Sequence, residues 1–200
     1  MLSTMRGLKS GIPKWFVSGL ALIATLSMLL GAAACTKSDD TKAESLPMRV
    51  LIYFSNDRLA TDPTDCTAVF PVERTVPKTR GVATVALREL FGGPTPSEQE
   101  AGYRSFFSAT TAGLLKSVRV QGNTAYVNLN DLRTMLSSAT SSCGAAEFQS
   151  QVSHTLFQFP TIKRVVYAID GEPRTFYEWM NESCGPANDN CDAHPFKRDS

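Results

Sequence analysis

Five cysteines stand at positions 35, 66, 143, 184 and 191 of the 200-residue chain. Thiols can hold a metal, attack a substrate, pair as disulfides or carry lipid. An odd count means that at least one is not half of an internal bridge. The compartment decides among these chemistries, because disulfides persist where the surroundings oxidise. The first 35 residues speak to that. Arg6, Lys9 and Lys14 form a positive leader, nothing from Trp15 to Ala34 is charged, and the run ends in Gly31, Ala32, Ala33 and Ala34. A basic start, an apolar middle and a small-residue exit make a secretory signal.

Cys35 directly after those small residues resembles a bacterial lipoprotein box, in which that cysteine receives diacylglycerol and becomes the new N-terminus. Ala32 departs from the Leu such boxes usually carry. An uncleaved single-span anchor is the alternative, since about 20 apolar residues can cross a bilayer with the basic flank in the cytoplasm. Plain secretion is a third. The first two leave the rest of the chain exported and tethered to the cell membrane, on its extracytoplasmic side. Cys35 is then the odd cysteine, set aside for lipid, and two acyl chains on it suffice for anchoring. The reading is a signal peptide over 1–34, a polar linker over 35–46, one domain over 47–173 and an extension over 174–200.

Export makes disulfides the expected state of the other four cysteines. Three pairings exist, and Cys66–Cys143 with Cys184–Cys191 is favoured. CGPANDNC is flexible enough to bring its ends together, and the first bridge closes a loop of roughly 80 residues, worth roughly 4 kcal/mol in the chain-entropy view. Cys184, Cys191 and His194 as zinc ligands is the competing reading, disfavoured because zinc spacing is normally tighter. No metal and no cofactor is expected. Losing the three basic residues of the leader leaves 17 basic against 19 acidic residues, so nothing favours nucleic acid as a partner.

These residues need elements to position them. MRVLIYF (48–54) reads as a buried strand, followed by an irregular, proline-containing segment through Thr79. RGVATVALRELF (80–91) places Val82, Ala86 and Leu90 on one helical face, stopped by Gly92-Gly93-Pro94. TPSE (95–98) is a capping box opening a short helix. LLKSVRV and TAYVNLN flank Gln121-Gly122-Asn123 as a hairpin, and NDLRTML (130–136) reads as a helical turn capped by Asn130. AAEFQSQVSHTLFQF (145–159) lines up Phe148, Val152, Leu156 and Phe159, and IKRVVYAI (162–169) is a strand closed by Asp170-Gly171. The order strand, helix, strand, strand, helix, strand predicts an α+β two-layer sandwich, with both helices on one face of a small mixed sheet.

Catalytic patterns are scarce. The chain has no HExxH, no GxSxG and no GxxxxGK[ST]. His154 falls away from the apolar stripe of its helix and reads as a solvated histidine. Glu73 and Arg74, after Phe70 in VFPVERTVP, read either as an ion pair locking the irregular segment or as a recognition loop of Phe70, Glu73 and Arg74. No catalytic residue is expected and the protein is read as a non-enzyme.

The ordered stretches YFSND, CTAVFPVERTVPKT, ELFGGPTPSEQEAGY, LLKSVRVQGNTAYVNLN and QVSHTLFQFPTIKRVVYAIDGEP resemble a GerMN domain, the module of sporulation and spore-germination GerM-type lipoproteins and other bacterial envelope proteins. Relatives usually carry a proline-containing turn where SFFSATTAG (105–113) stands here. The resemblance implies a fold like the ring-building modules of secretion-type assemblies, with an assembly or binding role outside the cytoplasm, and it supplies no catalytic residues. The leading expectation is therefore an envelope lipoprotein that self-associates or holds an envelope protein or cell-wall component, through an exposed strand edge or the Phe70–Arg74 loop. A module binding a cell-wall fragment would need Tyr53, Tyr103, Phe106 and Phe107 around one pocket. An envelope hydrolase would need two acids, or His154 and an acid, in a cleft. In the extension, Phe176, Tyr177 and Trp179 are expected to cover one end of the domain.

Overall fold

The computed structural model describes residues 46–184 and 189–197. The signal, Cys35 and the linker as far as residue 45 lie outside them. In chain order the elements are β1 (Pro47–Asn56), β2 (Phe70–Pro77), α1 (Val82–Phe91), α2 (Pro96–Glu100), β3 (Tyr103–Arg104), β4 (Leu115–Gln121), β5 (Thr124–Leu129), α3 (Ser142–Phe157), β6 (Arg164–Ile169) and α4 (Pro173–Trp179). This is the expected α+β class. The small mixed sheet is β4-β5-β6, with β4 antiparallel and β6 parallel to β5. A second, antiparallel sheet runs β2-β1-β3.

That second sheet arises because the segment after Cys66 is not irregular throughout. FPVERTVP alternates, with Phe70, Val72, Arg74 and Val76 turned inward and Pro71, Glu73, Thr75 and Pro77 exposed. Two prolines mask the period of two, yet an outer strand tolerates proline where the missing N–H faces away from its neighbour. Pairing with β1 runs in register from Pro47–Pro77 to Phe54–Phe70.

The two sheets stay apart because a helix occupies the place of a joining strand. Ser141 caps α3 by accepting from the Gly144 N–H at 3.0 Å. Phe148, Val152 and Leu156 face the core, but Gln151 and Thr155 are buried too. They belong to a second stripe that continues to Gln158. The Gln158 carboxamide accepts from the Leu51 N–H at 2.8 Å and donates to the Leu51 carbonyl at 2.6 Å. Thr155 Oγ1 accepts from the Tyr53 N–H at 3.1 Å. Side chains of α3 thus satisfy the backbone that another strand would otherwise pair with.

One continuous core links the layers. Phe148 is at its centre, with Phe107, Tyr167, Phe176 and Trp179 around it. Phe176 and Tyr177 of the extension are buried, on helix α4. The Tyr177 hydroxyl accepts the outward N–H of Tyr167 at 3.3 Å, and burial pushes its pKa up to about 12.

Two local expectations differ and a third holds. The buried stripe of α1 centres on Ala83, Ala86, Leu87 and Leu90, leaving Val82 half-buried. Residues 130–136 make the expected helical turn, with the Leu136 N–H donating to the Leu132 carbonyl at 2.9 Å, but Asn130 is no cap: it joins the ends of β4 and β5 by donating to the Gly113 and Leu114 carbonyls at 2.8 Å each. The 95–98 capping box forms, with Thr95 accepting from the Glu98 N–H and Glu98 accepting from the Thr95 N–H.

Candidate functional site

Cys66 and Cys143 are bridged, with Cα atoms 5.3 Å apart, and Cys184 and Cys191 are bridged with Cα atoms 5.7 Å apart. Both spans suit disulfide geometry. The first bridge fastens the segment before β2 to the first turn of α3. No cluster of three metal-capable side chains occurs among the described residues, and no described helix is long and apolar enough to cross a membrane.

Phe70, Glu73 and Arg74 do not form a recognition loop: all three lie in β2. Successive strand residues face opposite ways, so Glu73 and Arg74 cannot act together. Glu73 is exposed and pairs with Arg49 at 3.4 Å. Arg74 points inward, its side chain only 12 % exposed. Its guanidinium donates to both Glu98 oxygens at 3.1 and 2.6 Å, to the Glu89 carboxylate and carbonyl at 3.1 and 2.9 Å, and to the Gly93 carbonyl at 2.8 Å. It also lies 5.4 Å from the Phe54 ring centroid. Burial opposes its charge, but Glu98 and Glu89 outweigh that and hold its pKa above the ordinary value. Burial likewise opposes the Glu98 charge, and Arg74 with the Thr95 N–H and hydroxyl reverses the balance, holding that carboxyl below its ordinary 4.5. Arg74 is a structural rivet joining β2 to the end of α1 and the start of α2.

The other candidates disperse. His154 is exposed; its Nδ1 lies 3.0 Å from the Ser150 carbonyl and 3.3 Å from the Ser150 hydroxyl, which itself donates to the Thr67 carbonyl at 2.7 Å. That hydroxyl holds a loop to a helix. Phe107 is buried against Phe91 and Phe148, so Tyr53, Tyr103, Phe106 and Phe107 do not line a pocket together. Asp57 and Glu147 border a cleft of about 70 Å³, but Asp57 is paired with Arg104 at 2.5 Å, while Glu147 accepts from Ser55 at 2.6 Å and Gln151 at 3.0 Å.

What remains is the sheet edges. In β1 the backbone of Leu51 and Tyr53 faces α3, so their partners in β2, Glu73 and Pro71, face outward, as do Thr75 and Pro77. Two of those four residues have no N–H to offer. In β5 the Asn123 and Leu129 carbonyls serve the β6 side, so Thr124, Tyr126 and Asn128 bond to β4. Their partners are Gln121, Arg119 and Ser117. Alternation leaves the N–H and C=O groups of Val118 and Val120 pointing away from the sheet, without hydrogen-bond partners among the described residues, with no proline along the strand. The β4–β5 hairpin is held by Gly122 at φ 57° in the first central position of the turn, where only glycine is unstrained.

Grooves flank this edge on both faces. The inner one, about 350 Å³, lies between β4 and the start of α1, with Val118, Val120, Phe159 and Ile162 in its walls. Val120 is 42 % exposed. The outer one, about 570 Å³, lies beside Lys116, Arg119, Asp170, Phe196 and Lys197. There Arg119 donates to the Pro195 and Lys197 carbonyls at 3.1 and 3.2 Å, and Phe196 meets the Tyr126 ring edge-on at 5.6 Å. Hydrophobic periodicity located β4, but the free edge follows from pairing order, which one sequence does not reveal.

The family model described as "Germane: Sporulation and spore germination" matches residues 51–175. No curated protein matches the chain. Among solved structures, the chain is similar to a lipoprotein candidate from Clostridium perfringens at 16 % identity, over 62 % of this chain and 75 % of that one, with a TM-score of 0.35.

Proposed function

The chain belongs to the Germane family of sporulation and spore germination, and we propose that it is a non-enzymatic envelope lipoprotein whose domain holds another protein outside the membrane. The leader and Cys35 support a lipid anchor facing the extracytoplasmic side. The observation that carries the assembly reading is the open backbone of β4 at Val118 and Val120, with a groove on either face. Such an edge is a template for another chain. Burial of Phe107 in the core takes it away from any ligand, which favours the assembly reading over binding of a cell-wall fragment.

Two measurements test it. Intact mass of the membrane-extracted protein should match a chain beginning at an acylated Cys35, with four cysteines blocked until reduction; retention of Met1 with a freely alkylated Cys35 overturns the lipid anchor. A photoreactive residue at Ser117 should give one discrete heavier adduct in native membranes, and the same residue at Glu73 should give none. Adducts at Glu73 alone, or at neither position, overturn the assembly role of this edge.

A further inference from the structure

We infer that the partner of β4 is an extended segment of a different protein, in which apolar residues alternate with acidic ones, added to the sheet as a fourth strand. This rests on the assembly reading above and names the partner's chemistry.

Strand addition needs outward backbone groups on the edge and room for side chains on both faces of the incoming strand. Val118 and Val120 supply the first. The two grooves supply the second, and they differ in chemistry. The inner groove is walled by apolar side chains of β4, α1 and the segment after α3, with Arg80 at its margin. Residues facing it should be apolar, since burial there removes carbon surface from water. The outer groove carries Lys116, Arg119 and Lys197 against Asp170 and Glu172. Within the outer groove Lys116 is paired with Asp170 at 2.8 Å, which leaves Arg119 and Lys197 against Glu172 and a net positive face, although the chain without its leader carries more acid than base. Because side chains on a strand alternate with period two, apolar on one face and acidic on the other is the complementary pattern.

A second copy of this chain fits less well. Antiparallel pairing of β4 with itself about Arg119 sets that residue opposite its own kind, and like charges facing across a strand pair repel. Charge complementarity therefore selects an acidic strand over a second β4.

The test uses the full-length protein in detergent and a fluorescein-labelled peptide, acetyl-Glu-Val-Glu-Val-Glu-Val-Glu-amide, followed by fluorescence anisotropy. The control peptide carries Lys in place of each Glu. Saturable binding of the acidic peptide is expected, with the Lys peptide at least about tenfold weaker. Val120→Pro removes an outward N–H without removing a ladder bond, and should weaken binding about tenfold or more. The double variant Arg119→Glu with Lys197→Glu, both lining the outer groove, should reverse the preference between the peptides. Thr75→Pro, on the outward row of β2, should change nothing. If Val120→Pro does not fold by circular dichroism, the charge-reversal variant carries the test, because both its positions are exposed.

The inference is overturned by absence of saturable binding at millimolar peptide, by equal binding of the Lys peptide, or by unchanged binding to Val120→Pro. It is also overturned if light scattering without peptide finds a dimer that Val120→Pro dissociates, since a second copy then covers the edge. A failed peptide test with the Ser117 adduct retained rejects the alternating acidic strand and leaves the assembly reading intact. Loss of both rejects both.

Discussion

β2 and β4 are outer strands of similar length, 8 and 7 residues, each at the rim of a three-stranded sheet. Their outward rows differ in every respect that governs pairing. On β2 that row reads Pro71, Glu73, Thr75, Pro77, so two donors are missing. On β4 it is Val118 and Val120, with intact donors and a groove on each face. Proteins that must not aggregate blunt their edges with proline, charge or a covering element. Here β2 has prolines, the exposed stretch of β1 has Gln158 and Thr155, and β6 has the Tyr177 hydroxyl. β4 has neither proline nor a covering side chain on its outward row among the described residues, and its Lys116 and Arg119 are the charges it carries, which is the contrast with β2 that the proposed assembly role uses.

The comparison breaks most severely if β2 is detached. Arg74→Ala should cost about 3–5 kcal/mol, because it leaves Glu98 and the Gly93 carbonyl without their buried partner. Urea unfolding at neutral pH measures this. A change under about 1 kcal/mol would mean that Arg74 is not the rivet its contacts describe. Cys66→Ser with Cys143→Ser comes next, at about 2–4 kcal/mol, since the bridge closes a 77-residue separation. The effect should vanish when wild type and variant are compared under reductant.

Gln158→Ala tests whether a helix side chain is what closes β1. It leaves the Leu51 N–H and carbonyl without partners, at about 1–3 kcal/mol, and should speed hydrogen exchange at Leu51. Gln158→Glu keeps the acceptor and loses the donor, so it should restore part of the protection. Unchanged exchange in the alanine variant would show that water serves that edge equally well.

Much of this was legible beforehand, and the illegible parts share one physical cause. The strand β1, the hairpin around Gly122, the capping box at Thr95 and the apolar stripe of α3 are local signals, written in neighbouring residues. The second stripe of α3 has no local signature, because Gln151, Thr155 and Gln158 are polar and gain their role only when a strand edge 107 residues away in sequence is placed against them. Glu73 and Arg74 are adjacent and so suggest a pair, but strand geometry turns them to opposite faces. An arginine on the inward row of β2, followed by Glu89 and Glu98, was the available clue. The free edge of β4 had no local signature, since it depends on which strand pairs with which.

A pH profile sharpens the account of β2. The Glu98 carboxyl is held below its ordinary 4.5 in the folded protein, so its contribution is complete above that value and is lost as pH falls through the lower, folded value. Thermal stability should therefore drop on acidification below about pH 4.5. Glu98→Gln should be less stable at neutral pH and show a flatter acid limb. An acid limb as steep in the variant as in wild type would assign the loss to other carboxylates.

The smallest effect on stability carries the most weight for the contrast between edges. Pro71→Thr with Pro77→Thr restores two outward N–H groups to β2 and removes no ladder bond, since both residues face away from β1. Stability should shift by no more than about 0.5 kcal/mol per site. Association should change instead, because β2 then presents an unbroken row of donors as β4 does. Light scattering should find the variant forming concentration-dependent oligomers that wild type does not form, and those oligomers should persist when Val120→Pro is added. If the restored β2 stays as unreactive as before, the prolines are not what silences it. The exposed Glu73–Arg49 pair on its outer face then becomes the guard to remove next.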